Sequence, residues 1–121
     1  MASPNIANTT SIIGKTLAIP VNISPQPIIT NDALSGKVFK LNSVIVSNVN
    51  GVLTADINVY LTRGGSDFYL AKTITVPADA TLIVISKDMG IYLEEGDVLY
   101  CSSSADGYLN AIASYEEFTD V

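Results

Sequence analysis

Histidine and tryptophan are absent from this chain, and cysteine occurs once. Without histidine the commonest general base and metal ligand is missing, and no Ser-His or Cys-His nucleophile can be assembled, which excludes most hydrolase mechanisms. The lone Cys101 has no internal disulfide partner, and its setting, Val98-Leu99-Tyr100-Cys101-Ser102, reads as a strand, so a buried structural thiol is expected. A chain without disulfides is compatible with a reducing cytoplasm. Basic residues are scarce as well. Six Lys and Arg stand against twelve Asp and Glu for a net charge of -6, and Lys15, Lys37, Lys40, Arg63, Lys72 and Lys87 are scattered singly. No stripe of positive charge tracks phosphates, so direct contact with nucleic acid is not expected. Long apolar runs are missing too. Strings such as Leu82-Ile83-Val84-Ile85 fall far short of a membrane span, and the first residues carry neither the basic nor the apolar region of an export signal. Neither membrane insertion nor Sec export is expected.

What the chain does have is strand-forming material. Val, Ile and Thr supply 35 of the 121 residues, whereas Glu and Gln, which coat amphipathic helices, supply five. The length suits one domain, and a chain of this size buries roughly two thirds of its extended surface, enough to fold without staples. Ser, Thr and Asn total 31, so the surface is polar but weakly charged. A mean hydropathy of +0.37 is high for a small protein that must cover itself, which points to self-association or a covered face.

Residues 1–15 read as an N-terminal arm and 16–121 as a single β-domain. Leu17, Ile19, Val21 and Ile23 alternate, predicting a first strand over 16–23 that Pro20 assigns to a sheet edge. Ile28-Ile29 restarts the ladder briefly after Pro25 and Pro27. Residues 38–49 form a long strand candidate closed by Asn50-Gly51, a hairpin signal, with Ala55, Ile57, Val59 and Leu61 returning. Arg63-Gly64-Gly65-Ser66-Asp67 turns the chain again, and Phe68, Leu70, Ile74 and Val76 share a parity. Residues 81–86 look like a strand buried on both faces. Residues 98–103 lead to Asp106-Gly107, a second hairpin dipeptide, and the last strand carries Leu109, Ala111, Ala113 and Tyr115 on one face. Seven to nine strands at this spacing predict an all-β fold, an antiparallel β-sandwich of jelly-roll-like or Ig-like type.

No constellation carries obvious chemistry. Glu94, Glu95 and Asp97 form the densest carboxylate cluster, and Glu-Glu-Gly-Asp between apolar strands reads as a solvated turn before it reads as an acid-base pair or a weak cation site. Gly64-Gly65 lacks the Lys-Ser/Thr of a phosphate loop. The six tyrosines invite a sugar-binding reading, but their spread of one per strand fits a core edge or an interface better. No catalytic residue, metal ligand or cofactor is expected.

The order of pieces in the second half has a family likeness. Leu93-Glu94-Glu95-Gly96-Asp97-Val98-Leu99, then Ser102-Ser103-Ser104-Ala105, Leu109-Asn110-Ala111 and Ile112-Ala113-Ser114-Tyr115-Glu116-Glu117 resembles small virion structural proteins of tailed bacteriophages. In these an L-x-x-G-D-x-L turn-strand precedes a small-residue hairpin and a closing x-S-Y-E-E strand. Val44-Ile45-Val46-Ser47-Asn48, Leu61-Thr62-Arg63-Gly64 and Ile74-Thr75-Val76-Pro77-Ala78 are similar too, so the likeness covers about residues 38–118. Asn110 stands where Asp is frequent and Phe118 where an aliphatic residue is common. The resemblance implies a β-sandwich without enzymatic activity on the capsid surface or in the neck and tail. The expected role is a decoration or cement subunit in the virion, made in the bacterial host cytoplasm. It would bind the major capsid protein or neck and tail proteins, and a homo-oligomer is expected, with a trimer as the natural guess. The expected contacts are Ile6, Ile12 and Ile13 on the arm, Ile28 and Ile29 on an edge strand, and Tyr108, Tyr115 and Phe118 against a partner. A tail-tip carbohydrate- or receptor-binding module is the alternative.

Overall fold

The computed structural model describes residues 11–119. Among these the chain forms β1 (Ser11–Val21), β2 (Gln26–Thr30), β3 (Lys37–Asn48), β4 (Ala55–Arg63), β5 (Ser66–Val76), β6 (Thr81–Ile85), β7 (Tyr92–Leu93), β8 (Val98–Ser103) and β9 (Leu109–Thr119), with one 3-10 turn over Lys87–Met89. Every pairing is antiparallel. The first sheet has the order β1-β9-β3-β6 with β7 also on β3, and the second has β2-β8-β4-β5. The chain changes sheet at every connection except β4–β5 and β6–β7, and this interleaving is the jelly-roll form of sandwich rather than the Ig-like one.

The core lies between the sheets. Val44, Val46, Leu109, Ala111 and Ala113 face Ile57, Val59, Leu99 and Cys101, and all are buried. Each fully buried Leu, Ile or Val contributes about 1.5–3 kcal/mol relative to exposure. Leu109, Ala111, Ala113 and Tyr115 do share the inner face of β9, because alternate residues of a strand point to one side.

Both Asx-Gly dipeptides depart from the expected hairpins. Asn50-Gly51 joins β3 to β4 in the opposite sheet, and Asp106-Gly107 joins β8 to β9 in the same crossing manner. A two-residue hairpin in a type I′ or II′ turn needs positive φ at least at its first central residue, and neither Asn50 nor Gly51 has positive φ. Instead the Asn50 carboxamide oxygen accepts from the amides of Val52 and Leu53, and Asp106 accepts from the distant Ile23 amide at 2.6 Å. The tight hairpin is at Gly64-Gly65, with φ of 60° and 80°, linking Arg63 to Ser66.

Other strands also differ from the sequence pattern. β1 starts at Ser11 and ends at Val21, so residues 11–15, assigned to the arm, are paired with 115–119 of β9. On an open edge their side chains have no core to face, so no hydrophobic period marks them. β1 is an edge, as Pro20 indicated. β6 is not buried on both faces: it is the opposite edge, and Ile83 points outward at 63% exposure. In β5, register shifts opposite Val59 break the parity, leaving Phe68, Leu70 and Ile74 exposed while Ala71 and Val76 enter the core.

Candidate functional site

The carboxylate cluster is structural. Arg63, at the end of β4, donates Nε to Asp97 Oδ1 at 2.9 Å and Nη2 to Oδ2, and the Glu94 amide donates to Asp97 Oδ2 at 2.7 Å. Glu94 lies 3.0 Å from the same guanidinium, and Glu95 Oε2 accepts from the Gly36 amide at 3.0 Å. Asp97 is buried rather than solvated, which corrects the expected solvated turn; with both its oxygens engaged it cannot serve as a free base or cation ligand. Among the described residues no group of three or more Cys, Asp or Glu is placed to hold a metal ion.

A second carboxylate, Glu117 on β9, is also buried. Lys15 Nζ on β1 lies 2.9 Å from its Oε2, and Lys37 Nζ on β3 donates to Oε1 at 2.6 Å, so one side chain ties both flanking strands to β9. Although it follows Glu116 in an acidic stretch of sequence, Glu117 is buried rather than solvated.

Cys101 has no exposed surface, and burial pushes its thiol up to about 12. It is expected to stay unmodified by a water-soluble thiol reagent at pH 8 until the chain is unfolded. Stoichiometric labelling of the folded protein within minutes would contradict this placement.

The fold gathers three tyrosines that looked dispersed. Tyr69 on β5, Tyr60 on β4 and Tyr100 on β8 are register neighbours on the outer face of the second sheet, with ring centroids 5.0 and 5.5 Å apart. Lys72 Nζ sits 5.1 Å from the Tyr69 ring centre. Tyr60 lies between its two neighbours and is buried. A pyranose stacks on a ring face, and the central face here is already covered, which weighs against the carbohydrate reading.

The expected contact residues divide. Ile12 and Ile13 are exposed on β1, at 58% and 46%. Ile28 and Ile29 are buried in the core: the β2–β8 register shifts between Pro27 and Ile29, and both isoleucines end up inside the sandwich. Tyr115 is buried against Phe39, with centroids 5.1 Å apart, Phe118 is also buried, and Tyr108 is half-buried against the core. Ile28, Ile29, Tyr115 and Phe118 therefore do not stand free for a partner, and Tyr108 keeps only part of its surface exposed. Ile6 lies outside the described residues.

The outer face of the first sheet holds a feature the sequence reading missed. Ile83 is opposite Ile45, Ile45 opposite Ile112, and Ile112 opposite Ala18, so an apolar row crosses all four long strands. Small polar residues flank it, with Ser43, Ser114 and Thr16 on one side and Thr81, Ser47 and Asn110 on the other. A groove of about 280 Å³ lies at the β1 end, lined by Ala18, Ile19, Pro20, Asn110 and Ile112. No helix among the described residues is long and apolar enough to cross a membrane.

No protein-family model matches the chain, and no curated protein matches it. Among solved structures the chain is similar to a protein of Bacillus endospore appendages, described as a novel family of disulfide-linked pili. The two are 14% identical, the match covers 92% of this chain and 90% of that one, and the TM-score is 0.52. It is also similar to a pentameric capsid protein isolated from metagenomic phage sequences, at 16% identity, 86% and 64% coverage and a TM-score of 0.39. A third is from the virus-like particle of the extra small virus of the prawn Macrobrachium rosenbergii, at 14% identity, 98% and 88% coverage and a TM-score of 0.41. The first likeness establishes the shared fold; the other two fall below the similarity at which a fold is shared.

Proposed function

We propose that this chain is a non-enzymatic structural subunit of a virion, a capsid decoration or cement protein that docks on neighbouring virion proteins; a neck or tail accessory position is the alternative. The observation that carries this reading is the β1 edge. Eleven residues there have one side paired with β9 and, among the described residues, no strand on the other, and Ile12 and Ile13 are exposed along it. An open edge supplies main-chain hydrogen bonds to an added strand, and exposed isoleucines supply apolar burial, so docking needs no catalytic group. Jelly rolls serve as capsid and lectin domains among other roles, an analogy at the level of fold alone. The disulfide linkage of the Bacillus pili does not carry over, because the one cysteine of this chain is buried.

The test is rebinding. Particles purified from the source of this sequence should contain the chain in many copies, and particles stripped of it should rebind the recombinant protein. The double variant Ile12→Asp, Ile13→Asp is expected to bind at least about 100-fold more weakly, since each buried Ile is worth about 1.5–3 kcal/mol. Absence of the chain from particles would sink the virion reading; undiminished rebinding of the variant would remove the β1 edge from it.

A further inference from the structure

We infer that the outer face of the β1-β9-β3-β6 sheet is the contact between two copies of this chain, packed face to face about a twofold axis that runs along the strands between β9 and β3. The inference rests on the assembly reading above and names one of its surfaces.

Three observations select a second copy as the occupant. The first is shape. The apolar row has a projection at one end, Ile83 on β6, and a groove at the other, between β1 and β9. Rotation by 180° about the stated axis places β6 of each copy over β1 of the other, so each Ile83 meets the other copy's groove. One face thus carries both the projection and its recess, as an isologous contact requires.

The second is charge. A chain of net charge -6 repels its own copies wherever its carboxylates are dense. Along the row and its flanks this face is uncharged, and further along its two central strands stand Lys40 on β3 and Glu116 on β9, which are register partners. The same axis exchanges β3 and β9 between copies, bringing Lys40 of one copy opposite Glu116 of the other, twice. A different axis in the plane of the face, perpendicular to the strands, would instead place each strand over its own counterpart and lose both the groove fit and the charge match.

The third is area. Four strands about 4.8 Å apart, over seven residues of about 3.3 Å rise, give a footprint of roughly 450 Å² per copy. That is about half the area of a standard stable interface and suits a concentration-dependent dimer rather than a permanent one.

Sedimentation equilibrium across the micromolar to millimolar range tests this. The unaltered chain is expected to show a monomer–dimer equilibrium, and Ile83→Lys should raise the dissociation constant at least tenfold. Ile83 is mostly exposed, so the far-ultraviolet spectrum and melting temperature should stay unchanged. The deciding measurement is mixing. Lys40→Glu and Glu116→Lys should each dimerise more weakly alone, and an equimolar mixture of the two variants should dimerise at least tenfold more tightly than either, because both cross-copy pairs become complementary only in the mixed dimer. A monomeric unaltered chain at millimolar concentration, or a mixture no tighter than its components, overturns the inference. Particle rebinding through β1 is read separately, so failure here leaves the virion reading to its own test.

Discussion

Asp97→Ala is expected to lower the unfolding free energy by about 3 kcal/mol, because it strips acceptors from several buried or half-buried donors at once. Arg63 would lose its paired contact and keep only Glu94, and the Glu94 amide would lose its acceptor. The surrounding loops have little slack. The Asn31 amide donates to the Asp97 carbonyl at 2.9 Å, and the Gly96 amide donates to the Asn31 carbonyl at 2.8 Å. The Asn31 carboxamide nitrogen donates to the carbonyls of Lys37 and Leu93. Asp97 therefore clasps the β2–β3 connection to the turn before β8 and anchors both to the end of β4. Arg63→Ala should cost less, since its side chain is 44% exposed and water replaces part of what is lost. A double-mutant cycle in urea should give a coupling of about 1–2 kcal/mol between the two sites. An Asp97→Ala protein within about 0.5 kcal/mol of the unaltered chain would show that the clasp is ornamental.

The same region explains what the sequence did and did not disclose. Alternation found β3, β4 and β9 because each has one face on the core and one on solvent, which is the condition under which a period of two becomes visible. It found the second half of β1, where Leu17, Ile19 and Val21 turn inward, but missed residues 11–15, and its parity broke down in β5, where bulges decouple side-chain type from burial. Asn-Gly and Asp-Gly were read as hairpins from local preference. Their strands belong to different sheets, however, and six residues over 49–54 or five over 104–108 are enough chain to cross the sandwich.

The candidate surface was legible only in part. Ile12 and Ile13 stood out as apolar residues without a core periodicity, and they are exposed. The row of Ile83, Ile45, Ile112 and Ala18 was invisible because its members lie on four strands and meet through register, which a single sequence does not encode locally. Tyr60, Tyr69 and Tyr100 were hidden for the same reason. Tyr115 and Phe118 were expected against a partner, whereas they are buried on β9, which lies between β1 and β3.

Glu117→Gln should lower stability by about 2 kcal/mol at pH 7 and by progressively less as the pH falls, and this dependence distinguishes an ionic clasp from mere packing. Burial pushes the Glu117 carboxyl up, but the ammonium groups of Lys37 and Lys15 outweigh burial and hold it below the usual carboxylate range. A carboxyl with a lower pKa folded than unfolded stabilises the fold fully above the unfolded value, about 4.3, and loses that contribution as pH falls through the folded value. Lys15 is shifted the opposite way, raised chiefly by its hydrogen bond to Glu117 and by the carboxylate's charge. Its contribution is complete below about pH 10.4 and fades as pH rises through the folded value. The clasp should therefore be level from about pH 5 to 10 and weaken at both ends. Urea unfolding at pH 7 and pH 3 provides the check: the gap between the unaltered chain and Glu117→Gln should shrink toward pH 3, and a constant gap would exclude the ionic account. The consequence reaches the assembly surface, because Lys15 belongs to β1. In acid the link from β1 to β9 through Glu117 weakens before the core between the sheets is affected. Amide exchange in β1 should then accelerate at pH 3 relative to β3 and β8, after correction for intrinsic rates, and the edge proposed to dock on a neighbouring protein should lose its fixed geometry first.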